Sequence, residues 1–270
     1  MSQPHTVDSR FVVEGRVVTL TLDRHDVRNE LTGTRMVDDI VGVVDWINAS
    51  TDISALVLTG AGSAFSSGGN IKTMLAREGA FGGDVHAVQR QYRMGIQRMA
   101  LAMHRLEVPA IAAINGPAIG AGLDLACMCD IRVASEKARM GETFLDVGII
   151  PGDAGAWFLQ RLIGYQQAAA LTFTARVIDA AEALRIGLVL EVAPHDDLLP
   201  RAHAMAAVIA AKPPQALRLA KRLMMAARKQ ELAEHLDLCA AFQGMCHNTQ
   251  DHLEAVSSLL EKRQPVFTGS

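Results

Sequence analysis

The chain is poor in the features that mark disulfide-stabilised and zinc-binding proteins. It contains four cysteines in 270 residues, which is too few for a disulfide framework in a chain of this length. Cys127 and Cys129 are separated by one residue, and Cys239 and Cys246 lie on a stretch with helical spacing. Neither pair has the Cys-x2-Cys spacing typical of zinc sites. We therefore expect reduced, structural cysteines and no bound metal.

Charge and hydropathy exclude further classes of protein. The formal net charge is −3, which gives no electrostatic reason to expect nucleic acid or an anionic membrane as a partner. No apolar run approaches the roughly 18 residues that a membrane-spanning helix needs. Residues 1–10 are polar and lack the apolar core of a signal peptide. We expect a cytoplasmic protein with no membrane or nucleic-acid partner.

The remaining composition and patterning indicate a folded α/β protein. Half of the residues are hydrophobic and 20% are charged, a balance typical of a chain with a sizeable buried core. Apolar strand-like runs alternate with segments of helical spacing up to about residue 195, which predicts an α/β fold. The pattern includes a long amphipathic helix over Val85–Leu106 and, before it, a glycine-rich flap over Glu78–Gly83.

The last part of the chain has helical spacing only. We expect helices over Ala202–Ala211, Gln215–Leu232 and Leu253–Lys262. These helices carry apolar stripes that one subunit does not cover alone. This part of the chain is therefore a candidate oligomer contact. The sequence is thus divided into a core over residues 1–200 and a helical oligomerisation segment over residues 201–270.

Two glycine-rich stretches carry most of the functional information. Gly62–Asn70 (GSAFSSGGN) and Asn115–Asp124 (NGPAIGAGLD) each follow an apolar strand-like run and lead into a segment with helical spacing. Glycine at such junctions lets the backbone approach a ligand closely and turn its amide N–H groups outward. Two such loops can hold a single oxygen between them, which is the geometry of an oxyanion hole.

Five stretches in this order resemble the enoyl-CoA hydratase/isomerase (crotonase) family over nearly the whole chain. They are Asp23–Asn29 (DRHDVRN, with His25 where the family has proline), Phe65–Met74 (FSSGGNIKTM), Ala112–Asp130, Gly148–Gly152 (GIIPG) and Lys212–Pro214. The resemblance implies a crotonase-like ββα spiral core, with a helical C-terminal part that forms a homotrimer or homohexamer.

The resemblance also implies a substrate and a binding site. The substrate class is an acyl-CoA thioester, and no cofactor is needed because coenzyme A is part of the substrate. The backbone amides of Gly69 and Ala121 would hold the thioester carbonyl. Further substrate contacts are assigned to Arg28, Ser67, Gly68, Lys72, Phe144 and Lys262. Of these, Arg28 and Lys72 would meet the CoA phosphates, and Lys262 would reach the CoA of a neighbouring subunit.

The chain departs from the family at the acid/base positions. Hydratases of the family use two glutamates, and here the first position is Asp124 and the second is Phe144. Phenylalanine cannot transfer protons, so Phe144 is expected to shape an apolar acyl pocket. Asp124 is expected to be the surviving catalytic carboxylate.

Three acids near Phe144, the position of the family's second glutamate, are candidates to assist Asp124. Asp153 is expected to be the catalytic helper of Asp124, and its competing interpretation is the N-cap of the following helix. Glu142 and Asp146 stand two residues on either side of Phe144. If this segment is extended, Glu142, Phe144 and Asp146 all point the same way. For Glu142 and Asp146, however, we expect a solvated position at the surface.

The favoured function is an enoyl-CoA hydratase. Within the family, an isomerase or a β-diketone or thioester hydrolase is the alternative. A non-catalytic acyl-CoA-binding scaffold is the alternative from another class. A dinucleotide-binding fingerprint fails because Leu125 takes the place of its third glycine, and no G-x-S-x-G serine-hydrolase motif occurs.

Overall fold

The computed structural model describes residues 3–270, which form nine strands and eleven α-helices. The strands are β1 (Ser9–Glu14), β2 (Val17–Leu22), β3 (Ala55–Gly60), β4 (Ala110–Ile114), β5 (Ala118–Ile119), β6 (Ile131–Ser135), β7 (Arg139–Gly141), β8 (Val177–Asp179) and β9 (Glu191–Ala193). The helices are α1 (Met36–Ala49), α2 (Ile71–Ala76), α3 (Val85–Met94), α4 (Gln97–His104), α5 (Ala121–Cys127), α6 (Gly155–Thr174), α7 (Ala180–Arg185), α8 (Leu198–Ala210), α9 (Pro214–Ala226), α10 (Leu232–His247) and α11 (Gln250–Glu261). Within these described residues, no helix has the length and apolar character to cross a membrane.

Two sheets organise the core. The larger has the strand order β1-β2-β3-β4-β6-β9, and all its pairs are parallel except β1 with β2. The smaller has the order β5-β7-β8. Because β3 and β4 are parallel neighbours, the glycine-rich loops that follow them leave the sheet at the same edge. The predicted α/β class and the helical C-terminal part are confirmed.

The larger sheet is buried on both faces, as parallel sheets usually are. Leu56 and Leu58 of β3 belong to the main apolar cluster, which also contains the buried residues of α1 and α4. Ala55 and Val57 point to the opposite face and pack with α8. This alternation follows from the two-residue period of a strand, and it fixes the register of β3 and therefore the exit of the first glycine-rich loop.

Two predicted helix features differ from the structure. The segment predicted as one helix over Val85–Leu106 is broken at Gly95 (φ −110°, ψ −112°) into α3 and α4. A Cβ at Gly95 would lie 2.5 Å from the carbonyl oxygen of Gln91, so only glycine fits the break. The predicted helix over Gln215–Leu232 ends instead at Ala226, and α10 begins at Leu232.

The C-terminal helices differ in how they attach to the core. Arg218 of α9 pairs with Glu107 and donates to the carbonyls of Ile47, Ser50 and Ile53. In contrast, α10 has no buried residue. Together, α10 and α11 expose seven large apolar side chains: Leu232, Leu236, Met245, Leu253, Val256, Leu259 and Leu260.

The predicted division at residue 200 falls inside α8. Leu198, Ala202 and Ala206 of this helix are buried against the sheet. Helix α8 therefore packs as part of the core, and the helices with the exposed apolar faces begin only after it.

Candidate active site

The two glycine-rich loops are joined to each other by backbone hydrogen bonds. Ser66 and Ala118 form a parallel bridge, in which the amide of Ile119 donates to the carbonyl of Ser66 at 3.0 Å. The buried Ser66 hydroxyl donates to the carbonyl of Asn29 at 2.7 Å and accepts from the amide of Gly68 at 3.1 Å. The loops are thus a single rigid unit.

Glycine is required where the loops meet. Gly68 has φ +77°, and a Cβ there would lie 2.5 Å from the carbonyl oxygen of Ile119 and 3.0 Å from the amide nitrogen of Ala121. A Cβ at Gly122 would overlap the carbonyl oxygen of Ser66. Gly68, predicted to touch substrate, lines neither of the two cavities at the loops; it sets the close approach of the first loop to the start of α5.

The amides of Gly69 and Ala121 donate to no acceptor within residues 3–270, whereas those of Asn70 and Gly120 do. The amide of Asn70 donates to the hydroxyl of Thr32 at 3.0 Å, and that of Gly120 donates to the carbonyl of Gly141 at 2.8 Å. Thr32 therefore supports the first loop. Gly69 and Ala121, the two residues predicted for the oxyanion hole, line the same two cavities.

The outer of these cavities is a groove of about 630 Å³. Its lining includes Arg28, Ser67 and Lys72, three of the residues that the sequence assigned to the substrate. Lys262 ends α11 with φ +55° and is exposed. It lines none of the cavities described here, so this single chain does not bring it to the loops.

The second cavity, of about 260 Å³ and called the inner cavity, also borders the two free amides and is lined by both Phe144 and Asp153. It shares Met74, Phe81 and Tyr92 with a wider, mainly apolar cavity of about 960 Å³. A molecule could therefore extend from the groove, past the amides, into an apolar space.

Phe144 separates the groove from the inner cavity. It lines both, and a Cβ at Gly120 would lie 3.6 Å from its ring. The ring thus packs against the second glycine-rich loop at the point where the loop enters α5. This position agrees with the apolar wall that the sequence predicts.

Three acids are buried together behind the inner cavity. Asp124 and Glu142 are 0% exposed and Asp153 is 2% exposed. Asp124 lies beside both of the others, close enough for a carboxyl–carboxyl hydrogen bond when one partner is protonated, whereas Glu142 and Asp153 interact only through their charges. Asp153 lines the inner cavity, and neither Asp124 nor Glu142 lines either of the two cavities that meet at the amides. The order is therefore Glu142, Asp124, Asp153, cavity.

The three acids can form hydrogen bonds to one another only if some of them are protonated. As carboxylates, Asp124, Glu142 and the Oδ2 atom of Asp153 find no hydrogen-bond donor within residues 3–270, and two carboxylates bond to each other only when one is protonated. Burial raises the pKa of Asp124 well above its ordinary value, and the charges of Asp153 and Glu142 raise it further. Burial also raises the pKa of Glu142 and of Asp153, and for both the hydrogen bond with Asp124 opposes that rise.

One sequence interpretation of these acids is wrong. Glu142 was expected at the surface but is fully buried, because it directly follows β7, which pairs with β5 inside the second glycine-rich stretch. Residues Thr143–Val147 form a 3₁₀ helix instead of an extended segment, so Asp146 is exposed as expected while Glu142 is not.

Asp153 is not a helix N-cap. The N-cap of α6 is Ala154, which has φ +86°, and no side chain caps this helix. The left-handed backbone at Ala154 lets the carboxyl of Asp153 face the cavity while α6 starts beside it. The N-cap interpretation is therefore wrong, and the role as a helper acid stays a prediction.

The described residues contain no group of three or more His, Cys, Asp and Glu side chains arranged to hold a metal ion. We call Glu142, Asp124 and Asp153, in that order, the row of acids. The four cysteines are free; Cys127 and Cys129 are buried.

Comparisons with known proteins identify one family. A family model described as enoyl-CoA hydratase/isomerase matches residues 13–270. The chain is 34% identical over 255 residues to a Mycobacterium tuberculosis protein named "Probable enoyl-CoA hydratase echA8", with 94% of this chain and 95% of that protein covered. It is 34% identical over 262 residues to the crotonyl-CoA hydratase of Syntrophomonas wolfei, with coverage of 94% and 95%. The crystal structure of an enoyl-CoA hydratase from Bacillus anthracis is similar with a TM-score of 0.91 at 32% identity, covering 98% of this chain and 100% of that chain.

Proposed function

The chain belongs to the enoyl-CoA hydratase/isomerase family and has the crotonase fold, and on that premise we propose that it catalyses the reversible addition of water to a 2-enoyl-CoA. The observation that carries this proposal is the pair of unbonded amides at Gly69 and Ala121, which open on both the groove and the inner cavity. A thioester carbonyl oxygen held between them would have its CoA part in the groove and its acyl part inside.

The amides supply the electrostatic part of the reaction. When water adds to the β-carbon of a 2-enoyl thioester, negative charge moves to the carbonyl oxygen and an enolate forms. Preorganised N–H donors directed at that oxygen stabilise the enolate more than the ground state, which lowers the barrier. Because both donors are backbone atoms of the joined loops, they need not rearrange as the charge develops.

Asp153 is the acid that we propose to exchange protons with substrate. As a carboxylate, it takes one proton from water while the water oxygen bonds to the β-carbon. It then returns that proton to the α-carbon, so the enolate collapses to the 3-hydroxyacyl thioester and Asp153 is regenerated. Asp124 acts through Asp153, because it touches that carboxyl from behind and lies outside the cavity lining. No cofactor beyond the CoA of the substrate is required.

The groove accommodates the CoA part in this proposal. Arg28 and Lys72 line it on one side of the amides, where their positive charges can meet the CoA phosphates. The exposed apolar faces of α10 and α11 support assembly into a homotrimer or homohexamer. Lys262 would then reach the groove of a neighbouring copy.

A second candidate reaction is isomerisation of an unsaturated acyl-CoA. Phe144 occupies the position of the family's second glutamate, and Asp153 alone of the three acids lines the inner cavity. A single acid that removes a proton from one carbon and returns it to another is sufficient for a double-bond shift.

Turnover of defined thioesters tests the proposal. Purified protein is incubated with crotonyl-CoA and with longer 2-enoyl-CoAs, and the loss of the conjugated thioester absorbance is followed. If the protein is a hydratase, this absorbance should be lost from a 2-enoyl-CoA and should appear when a 3-hydroxyacyl-CoA is supplied. The dependence of the rate on chain length should report the space available beyond Phe144. A 3-enoyl-CoA that gains this absorbance would identify an isomerase. Binding without any change over hours would indicate a scaffold.

A further inference from the structure

Glu142 occupies the closed end of the row of acids. It is 0% exposed, both its carboxyl oxygens lack a donor partner within residues 3–270, and it contacts the substrate side only through Asp124. Neither the sequence pattern nor the proposed reaction gives it a role. Burying an acid without a compensating partner costs free energy. The presence of Glu142 here therefore calls for an account of its effect on the neighbouring acids.

The groups that face the three acids are neutral. Tyr92 of α3 lies near Asp153, and Cys127 of α5 lies near Glu142. Burial raises the pKa of Tyr92 and raises that of Cys127 to about 12, so both stay protonated near neutral pH. In the described part of the chain, no lysine, arginine or histidine side chain bonds to any of the three acids.

The row can therefore limit its charge only by keeping protons. Like charges in contact inside a protein cannot all ionise near neutral pH, and acids that interact this strongly titrate as one unit. Asp124 is the middle member and touches both others, so the last proton of the row belongs on it. There it can donate to the carboxylate of Asp153 and orient it toward the cavity.

We propose that Glu142 is a positioning residue that holds the last proton on Asp124, so that Asp153 faces the substrate as a carboxylate oriented by a protonated partner. This proposal rests on the proposed function for its catalytic meaning, but its proton arrangement is a property of the free protein. Glu142 never touches substrate and acts only through Asp124.

The sign of its effect follows from charge. A negative charge on Glu142 disfavours ionisation of Asp124. With Glu142→Gln, one negative charge is gone and the amide can donate to Asp124, so Asp124 ionises at lower pH. Activity needs a protonated Asp124 beside an ionised Asp153. The alkaline limb of the pH profile therefore moves to lower pH in this variant. Groups in contact couple by more than about one pK unit, so a shift of about one pH unit or more is expected.

The pH dependence of kcat on a 2-enoyl-CoA is measured for the parent, Glu142→Gln, Glu142→Asp and a control. Glu142→Asp keeps a carboxyl and should return the alkaline limb toward that of the parent. The control is Glu136→Gln, the same change at an exposed turn six residues earlier, and it should leave the profile in place. An unshifted alkaline limb in a folded Glu142→Gln variant would overturn the proposal, since a purely structural role moves rate or stability without moving this pH.

Infrared titration of the free protein separates this proposal from the proposed function. The parent should retain the absorption band of a protonated carboxyl above pH 7. In Glu142→Gln, this band should disappear at a lower pH than it does in the parent. A parent without this band above pH 7 overturns the proposal even if the variant does not fold. If the band behaves as expected but no 2-enoyl-CoA is converted, the reaction assignment fails while the proton arrangement stands.

Discussion

The carboxyl of Asp124 packs directly against Gly155, the first residue of α6. A Cβ at Gly155 would overlap both carboxyl oxygens of Asp124 and lie 2.5 Å from its Cγ. The absence of a side chain at residue 155 is therefore what leaves room for the middle acid of the row.

Gly155→Ala is expected to push the Asp124 carboxyl out of place and with it the orientation of Asp153. Because a displacement of about 1 Å can cost on the order of 100-fold in rate, we expect a fall of that size in kcat on the best 2-enoyl-CoA. The matched control is Gly42→Ala in α1, where the added Cβ meets only Pro4 at 3.9 Å. Equal kcat in both variants would contradict the packing argument.

Asp153→Asn and Asp124→Asn separate the acid that touches substrate from the one behind it. Removing the proton-transferring carboxyl at Asp153 should lower kcat by roughly 10²- to 10⁴-fold, with little change in KM. Asp124→Asn should lower kcat by a smaller factor, since Asp153 remains. The exposed Asp52→Asn serves as control. Full activity in Asp153→Asn would remove it from the mechanism and leave Asp124 as the candidate.

The row of acids should make stability depend on pH in a defined direction. The folded-state pKa of Asp124 lies above its ordinary value of 3.8, so its stabilising contribution is complete below that value and is lost as pH rises through the folded pKa. Asp124→Asn removes this titration and offers N–H donors to both neighbours.

We therefore expect the free energy of unfolding of Asp124→Asn to exceed that of the parent by roughly 1–3 kcal/mol at pH 8, with a smaller difference at pH 4. Denaturant titrations at several pH values measure it. A difference that shrinks as pH rises would mean that the acids are not protonated together.

Lys72→Gln tests the groove as the site of the CoA phosphates. Lys72 is exposed, so its ion pair with a phosphate is worth about 0.2–1 kcal/mol, and KM should rise up to about fivefold with kcat unchanged. The rise should disappear on a pantetheine thioester that lacks the nucleotide phosphates. Lys137→Gln, at an exposed turn away from the groove, should leave both substrates unaffected. An equal KM rise on both thioesters would assign Lys72 another role.

The exposed faces of α10 and α11 predict a stable oligomer. Sedimentation at micromolar concentration should give a trimer or hexamer for the parent. Leu259 and Leu260 are each 78% exposed in the single chain, and replacing both by glutamate should yield smaller, still folded species whose unfolding midpoint is lower, because assembly no longer stabilises the subunit. Val12→Glu, on the exposed side of β1, is the control. A parent that sediments as a monomer would contradict the assembly.

The parts of the fold that the sequence predicted are those with strong local signals. The runs that became β3 and β4, and the glycine-rich loops after them, follow from residue type and spacing alone. Their pairing through Ser66 and Ala118 brings Gly69 and Ala121 to the same cavities, as the motifs suggested.

The parts that the sequence missed depend on tertiary contacts. Glu142 is buried because of the pairing between two short strands, and a charged residue between polar neighbours gives no local sign of that. The orientation of Asp153 depends on a left-handed backbone at Ala154, which alanine seldom adopts. Spacing alone also could not show the break at Gly95, since helical periodicity continues across it.

In this site, the main-chain groups of the joined loops are fixed, whereas the side chains around them can be exchanged. Both proposed donors are main-chain atoms, so side-chain substitutions other than proline leave the N–H groups in place, provided that the close approaches at Gly68 and Gly122 are kept. The surrounding acids and the ring of Phe144 are side chains and can be exchanged one at a time. Such a site can diversify during evolution by replacing its proton-transferring groups around a fixed carbonyl-binding frame, and a phenylalanine in place of a glutamate is one outcome of that freedom.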